Sequence, residues 1–194
     1  MSDALPLFPL NTLLVPEATL PLQIFEQRYL RLIKQCLRDQ TTFGVVPIRD
    51  GREVGVAAMI YQVGVVAHIS DWSQGANGLL HIKVVGGRKF RVLQTSVEED
   101  QLMQAQVEYL PEESTYDIPD EFSGLAELFK ELGDHPQVQA LGLPPALTAN
   151  QLGWFLTQLL PLSRSEQVEM LAMQEPLVRL EKIAEFVDRL SREG

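Results

Sequence analysis

Cysteine is almost missing from this sequence, and its scarcity excludes several classes of structure. Cys36 is the only thiol, so the chain can form no internal disulfide and no cysteine-rich metal site. No apolar run approaches the roughly 18 residues of a membrane span. The N-terminal stretch MSDALPLFPL lacks the basic and continuously apolar segments of a signal peptide. We therefore expect a cytoplasmic protein that does not enter a membrane.

Sequence motifs of nucleotide and hydrolytic chemistry are also missing. The chain contains no G-x-x-x-x-G-K-[ST] loop for phosphate, no G-x-S-x-G and no H-E-x-x-H. Cys36 falls on the apolar stripe of a predicted helix, where a buried structural thiol is the simpler interpretation. We expect no enzymatic activity, no catalytic residue and no cofactor, with an undetected hydrolase as an alternative.

Positive charge is scarce in the second half of the chain. The formal net charge is −10, and residues 111–194 account for −9 of it, with 6 Lys or Arg against 15 Asp or Glu. A basic and aromatic cluster, Arg88, Lys89, Phe90 and Arg91, stands in the near-neutral first half. Strand alternation predicts that Phe90 points inward while Lys89 and Arg91 point to solvent. A solvated strand face explains this cluster, and we expect no nucleic-acid partner.

Short strands and one helix make up the first part of the chain. Prolines interrupt the apolar run Leu5 to Ile33 at positions 6, 9, 16 and 21, which favours short strands at sheet edges or barrel rims. Apolar residues then recur at helical spacing from Tyr29 to Leu37, which predicts a helix over about 26–39. Seven or more short strands are predicted in all, with this one helix among them, and GLLHIKVVG and GRKFRVLQTSVE are interpreted as two of these strands.

The chain changes character near Pro111. An acidic, proline-bearing stretch precedes apolar periodicity that predicts helices at about 122–132, 149–160, 164–173 and from Pro176 onward. Thr148 with Gln151 and Ser163 with Glu166 both match the capping-box pattern. The predicted fold class is α+β, with a β sub-domain over 1–112 that carries the helix at about 26–39, and an acidic helical bundle over 113–194.

The N-terminal motifs resemble those of a known family. LPLFPLNTLLVPEATLPLQIFEQRYLRLI is similar to the start of the Lon N-terminal, substrate-binding domain, and the likeness continues through VGVVAHI, GLLHIKVVGGRKFRV and LLPLSRSEQVEMLAMQEPLVRLEKI. Gln27 stands where the family usually has proline. The resemblance implies a PUA-like β pseudo-barrel with one intercalated helix, followed by a helical bundle. It also implies a stand-alone recognition domain without the ATPase and peptidase modules of Lon proteases.

Candidate binding residues follow from this resemblance and from the predicted elements. Gln27, Arg28 and Arg31 form the predicted polar side of the first helical turn, which corresponds to a family surface implicated in substrate capture. Trp72, at the end of a strand, is a candidate exposed aromatic contact. His68 and His81 lie on neighbouring predicted strands and could face each other if the hairpin turn centres near Gly75. Two imidazoles fall short of the three or four ligands of zinc, so we predict no metal site there.

These observations lead to one expected function and two alternatives. We expect a non-enzymatic module that recognises proteins or unfolded polypeptide segments. An RNA-binding PUA-like protein is one alternative, which rests on fold analogy alone. A small-molecule-binding module is the other.

Overall fold

The computed structural model of the protein describes residues 3–55, 57–75 and 78–193. Chain contacts divide it into two compact units, Met1–Leu110 and Pro111–Gly194, two residues before the boundary expected from the sequence. The tip of the predicted turn SQGANG, residues 76–77, lies outside the described residues. Within the described ranges, no helix combines the length and apolar character needed to cross a membrane.

The described residues of the first unit form seven strands and one helix. The strands are β1 (Asp3–Leu10), β2 (Thr19–Ile24), β3 (Phe43–Asp50), β4 (Met59–Ile60), β5 (Val63–Gln74), β6 (Leu80–Val97) and β7 (Met103–Tyr109), with α1 (Gln27–Asp39) between β2 and β3. Five strands close a ring in the order β1-β7-β6-β5-β3, since β1 also pairs in parallel with β3. β2 pairs with β6, and β4 pairs with β3, outside this ring. The predicted pseudo-barrel with one inserted helix is therefore confirmed.

The registers of β1 and β2 explain how the prolines fit into a sheet. β7 pairs with Asp3–Leu7 and β3 pairs with Leu7–Leu10, so each half of β1 has one paired edge in these registers. Pro6 and Pro9 lie in different halves. Pro21 lies in β2, which pairs with β6 alone among the described strands. At each of these prolines one edge of the strand is unpaired. The backbone position that lacks an N–H can face this edge without the loss of a sheet hydrogen bond.

One long strand replaces two predicted ones. The glycine pair predicts a break between GLLHIKVVG and GRKFRVLQTSVE, but β6 runs without a break over 18 residues. Gly86 serves close approach instead, because a Cβ there would lie 2.1 Å from the carbonyl oxygen of Val15. The chain after β1 crosses β6 at this point, where the N–H of Glu17 donates to Gly86 O and the N–H of Gly86 donates to Ala18 O.

Phe90 fills the interior of the ring. Its side chain is fully buried among apolar residues of β1, β3, β5 and β7. A Cβ on Gly44 or on Gly64 would lie 2.6 Å from Phe90 Cζ, so both glycines make room for this ring. On α1, Tyr29 stacks on Phe8 of β1 with ring centroids 3.9 Å apart, which attaches the helix to the sheet.

The second unit is helical. Its helices are α2 (Ser123–Gly133), α3 (Pro136–Gln139), α4 (Ala149–Leu159), α5 (Arg164–Ala172) and α6 (Pro176–Glu193), and a short 3-10 turn spans Asp120–Phe122. The capping box of Ser163 and Glu166 is present in both directions. At Thr148 the side chain caps Gln151 N, whereas the Gln151 side chain accepts from Leu147 N. The predicted C-terminal helical bundle is confirmed.

A buried ion pair holds the start of this unit against its helices. The guanidinium of Arg179 on α6 is fully buried and pairs with Glu113, whose side chain is 2% exposed. Arg179 Nε also donates to Met170 O at 2.9 Å. Asn150 on α4 donates to Glu113 Oε2 and to Ser114 O. The irregular segment after Pro111 is therefore fixed by charge-assisted hydrogen bonds.

Candidate functional site

A cleft opens on the first unit beside β2 and the start of α1. Its apolar lining comes from β1, β2, α1 and the residue after β2, and its polar lining comes from glutamates and one glutamine. The lining residues are Phe8, Leu10, Pro21, Leu22, Gln23, Ile24, Phe25, Glu26, Tyr29 and Glu53. The cleft is therefore a mainly apolar groove with carboxylates on its wall.

Strand alternation places an aromatic ring on the rim of this cleft. Leu20 and Ile24 of β2 are buried, whereas Pro21 and Gln23 are exposed. Phe25 follows in the exposed series and is 56% exposed, although it is a large apolar residue. An exposed phenylalanine next to a cleft floored by other aromatic rings is a feature of binding surfaces rather than of cores.

Arg28 is buried, and the expectation that it lies on an exposed polar face is wrong. Its side chain is 4% exposed and forms an ion pair with Glu26 at 3.1 Å. One terminal nitrogen donates to Gln101 O at 2.9 Å and the other donates to Glu53 O at 3.1 Å. The loops after β3 and after β6 close over the helix start and remove this side chain from solvent. Arg28 therefore braces the wall of the cleft.

Arg31 does lie at the surface, but it has partners of its own. It pairs with Glu98 and with Asp100, at 2.7 Å for the latter, on the turn between β6 and β7. The hydrogen bond from Arg31, followed by one from Gln104, lowers the pKa of the Glu98 carboxyl, and the same contact raises the pKa of Arg31. Arg31 and Arg28 together attach α1 to the turn between β6 and β7.

Gln27 and Trp72 are both exposed. Gln27 is the first residue of α1, next to Glu26 of the cleft. Trp72 is 57% exposed and lies opposite Ile82, which in turn lies opposite Leu22 of the cleft. Residues directly opposite on paired strands share a face, so Trp72 and Leu22 lie on one side of the sheet, about 10 Å apart over two strand spacings.

The cleft carries negative charge. Glu26 is paired with Arg28 and also accepts from Gly55 N at 3.3 Å. Glu53 Oε1 accepts from the N–H of Asn11, and among the described residues no Lys or Arg side chain pairs with Glu53. Burial, the largest influence, raises the pKa of Tyr29 to about 12, and both glutamates act in the same direction. The Tyr29 hydroxyl is therefore neutral at physiological pH.

The two histidines do not meet. His68 lies opposite Val85, and His81 lies opposite Ser73. The expectation that they could face each other is wrong, because the hairpin closes with Gln74 opposite Leu80 and so centres beyond Gly75. In the part of the chain that the structure describes, no group of three or more His, Cys, Asp or Glu side chains is placed to hold a metal ion.

The cationic cluster on β6 is divided. Lys89 is only 5% exposed, which contradicts its predicted outward orientation. Lys89 pairs with Val65 of β5, and its carbonyl accepts a hydrogen bond from the N–H of Leu110. The backbone of β6 is therefore paired on both edges at this position. The Arg88 guanidinium lies over the Tyr109 ring, 4.8 Å from its centroid. Arg91 alone keeps the predicted exposed position.

Comparison with known proteins defines the class of this fold and site. Residues 4–189 match the family profile of the ATP-dependent protease La (LON) substrate-binding domain. The chain therefore belongs to the LON substrate-binding domain family, as its N-terminal motifs predicted. The 194 residues correspond to that domain, which covers nearly their whole length.

Solved structures agree with this assignment. The crystal structure of a Lon N-terminal domain protein from Xanthomonas campestris is 32% identical in sequence and superimposes with a TM-score of 0.77, covering 94% of this chain and 98% of that chain. The N-terminal domain of a Mycobacterium avium complex Lon protease has a TM-score of 0.64 over 96% of this chain and 98% of that chain. Its identity is 14%, so this second likeness shows the fold alone.

Curated relatives match over a shorter region. Protein cereblon of Gallus gallus is 29% identical over 115 residues, which are 57% of this chain and 24% of cereblon. The Lon protease of Anaeromyxobacter dehalogenans is 33% identical over 115 residues, which are 58% of this chain and 14% of the protease. The matched region is therefore a quarter or less of each relative's own length.

Sequence reasoning missed two residues of the cleft. Phe25 could have been found, because it is the apolar residue at a position where the alternation of LPLQIF calls for a polar one. Glu53 gave no such signal. It stands in a turn-like stretch after β3, and only the tertiary contacts with Arg28 and Asn11 bring it to the cleft.

Proposed function

We propose that this protein is a recognition module that holds apolar segments of other polypeptides in the cleft beside β2. The observation that carries the proposal is the 56% exposed Phe25 ring on the rim of an apolar cleft. Buried interface centres are enriched in aromatic residues, and a few such side chains account for most of the binding energy. Membership of the LON substrate-binding domain family supports the same role.

The rigidity of the cleft wall supports this proposal as well. Arg28 connects the loop at Glu53 and the turn at Gln101 to the start of α1, so three segments distant in sequence are fixed around the cleft. A site that is rigid before binding loses less conformational entropy when a partner docks. Trp72 is a second exposed aromatic residue of the first unit, on the sheet face of Leu22 rather than in the series of Phe25, and we propose it as a separate contact for a longer segment.

We further propose that the module acts without catalysis of its own and in the cytoplasm. The polar lining of the cleft offers carboxylates and an amide but no paired nucleophile and base. Cys36 is buried, and burial raises the pKa of its thiol, which suits a structural rather than a reactive cysteine. A single unpaired cysteine is also typical of a reducing compartment.

A binding assay with matched variants tests the proposed function. The variant Phe25→Ser removes the ring at the rim, and Leu147→Ser removes another exposed apolar side chain, 74% exposed, from the second unit. The probe is a permanently unfolded protein, reduced and carboxymethylated lactalbumin. Burial of one phenylalanine side chain contributes about 1.5–3 kcal/mol, so we expect Phe25→Ser to weaken retention at least about 10-fold.

The control variant should bind the unfolded probe like the unaltered protein. Circular dichroism must show that both variants are folded. Equal binding by Phe25→Ser and Leu147→Ser would contradict a role for the cleft, and no binding by the unaltered protein would contradict recognition of unfolded segments.

A further inference from the structure

We propose that the cleft selects a polypeptide segment in which a lysine or arginine lies close to a large apolar residue, with Glu53 as the residue that recognises the positive charge. This inference rests on the proposed function and adds a charge preference to it. The occupant is thus a basic and apolar stretch of a partner protein.

The two glutamates of the cleft differ in how far they are neutralised. Glu26 shares an ion pair with the buried Arg28. Glu53 is half-buried, and its carboxylate accepts one hydrogen bond, from the N–H of Asn11. Among the described residues no ion pair includes the Glu53 carboxylate, although the backbone carbonyl of Glu53 accepts a hydrogen bond from Arg28. The position of Glu53 is therefore fixed while its charge is left without a cation.

The charge balance of the site follows from these contacts. Two carboxylates line the cleft, and one guanidinium lies behind it, buried and engaged with Glu26, Gln101 O and Glu53 O. One negative charge is left to act on an occupant. A partly desolvated carboxylate binds a cation more strongly than one in bulk water, because the local dielectric constant is lower.

An aromatic ring stands in the same cleft as this carboxylate. Phe25 and Glu53 both line it, and the exposed face of Phe25 can accept the cation or the alkyl stem of a basic side chain. A lysine or arginine could then pair with Glu53 while its apolar neighbour contacts Phe25 and Leu22. An acidic residue at that point would be repelled, and the net charge of −10 on the whole chain acts in the same direction.

Three fluorescent peptides of one apolar sequence test the inference. They differ at a single central position, which is lysine, glutamine or glutamate next to leucine and phenylalanine. Dissociation constants are measured by fluorescence polarisation at low salt and at high salt. Partly exposed ion pairs contribute up to about 1 kcal/mol. We expect the lysine peptide to bind about 3- to 5-fold more tightly than the glutamine peptide, the glutamate peptide to bind most weakly, and salt to reduce the difference.

The variant Glu53→Gln keeps an oxygen for the N–H of Asn11 and removes only the charge. We expect it to bind the lysine and glutamine peptides equally, with the affinity for the glutamine peptide unchanged. Glu99→Gln, at an exposed position after β6, removes the same charge elsewhere and should keep the preference for lysine.

The outcomes separate this inference from the proposed function. Equal binding of all three peptides by the unaltered protein, abolished by Phe25→Ser, would overturn the charge preference and leave the proposed function standing. A lysine preference that survives in Glu53→Gln would overturn the assignment to Glu53. Absence of binding to every peptide and to the unfolded probe would overturn both.

Discussion

Replacing Arg28 with alanine should destabilise the first unit far more than replacing its neighbour Arg31. Arg28 is buried and donates to Gln101 O at 2.9 Å and to Glu53 O at 3.1 Å, with an ion pair to Glu26 at 3.1 Å. Arg31 is about half exposed and pairs with glutamate and aspartate at the surface. The same chemical change therefore removes a buried brace in one case and a solvated ion pair in the other.

The expected size of the effect follows from these contacts. A hydrogen bond to a charged group contributes about 1.5–3 kcal/mol, and removing one partner of a buried ion pair costs about 3–5 kcal/mol. Arg28→Ala leaves the two carbonyls to water, which recovers part of the loss, so we expect about 3–4 kcal/mol. Arg31→Ala should cost at most about 1 kcal/mol, as exposed pairs do.

Urea denaturation followed by far-ultraviolet circular dichroism measures the difference. With a slope of about 2 kcal/mol per molar urea, Arg28→Ala should lower the midpoint by roughly 1.5–2 M and Arg31→Ala by less than about 0.5 M. Arg28→Lys keeps the charge but not the fork of donors, and it should fall between them. Equal midpoints for the two alanine variants would refute the assignment of Arg28 as the brace of the cleft.

Three further predictions concern other groups. Arg179→Met leaves the buried Glu113 carboxylate without its partner and should lower the free energy of unfolding by about 3–5 kcal/mol in urea denaturation; a loss under about 1 kcal/mol would contradict this. Ser163→Ala removes a helix cap and should cost about 1 kcal/mol, or roughly 2–4 °C in the thermal midpoint of a chain of this length, with no change in binding of the unfolded probe. Since burial raises the pKa of Tyr29 from 10.0 to about 12, its contribution to stability is complete below pH 10 and is lost as the pH rises toward 12. Tyr29→Phe should remove that part of the alkaline loss and one late-titrating phenol in an ultraviolet titration, whereas an unchanged titration curve would refute it.

Short-range sequence patterns predicted the helices whose position depends on residues close together in the chain. The apolar stripe around Tyr29 and Cys36 predicted α1, and the capping box of Ser163 and Glu166 predicted the start of α5. Both signals depend on residues three or four positions apart, which a sequence displays directly. The family motifs predicted the arrangement of sheet, inserted helix and bundle, which periodicity alone would not have distinguished from other α+β folds.

Long-range contacts account for what the sequence could not predict. Helical spacing places Arg28 outside the apolar stripe of α1 and so predicts an exposed cation. The residues that bury it, Glu53 and Gln101, lie 25 and 73 positions away in the sequence, where no local pattern indicates the contact. The continuity of β6 through Gly86 depends on the crossing chain at Val15, whereas a glycine pair by itself favours a break.

Hydrogen–deuterium exchange in the presence of an unfolded protein is the most direct test of the claim that the cleft binds apolar segments. If apolar segments bind in the cleft, amides of β2 and of the first turn of α1 should exchange more slowly when reduced and carboxymethylated lactalbumin is added at saturating concentration. The protection should disappear in Phe25→Ser and persist in Leu147→Ser. Protection confined to other segments, with β2 and the start of α1 unchanged, would contradict recognition through this cleft.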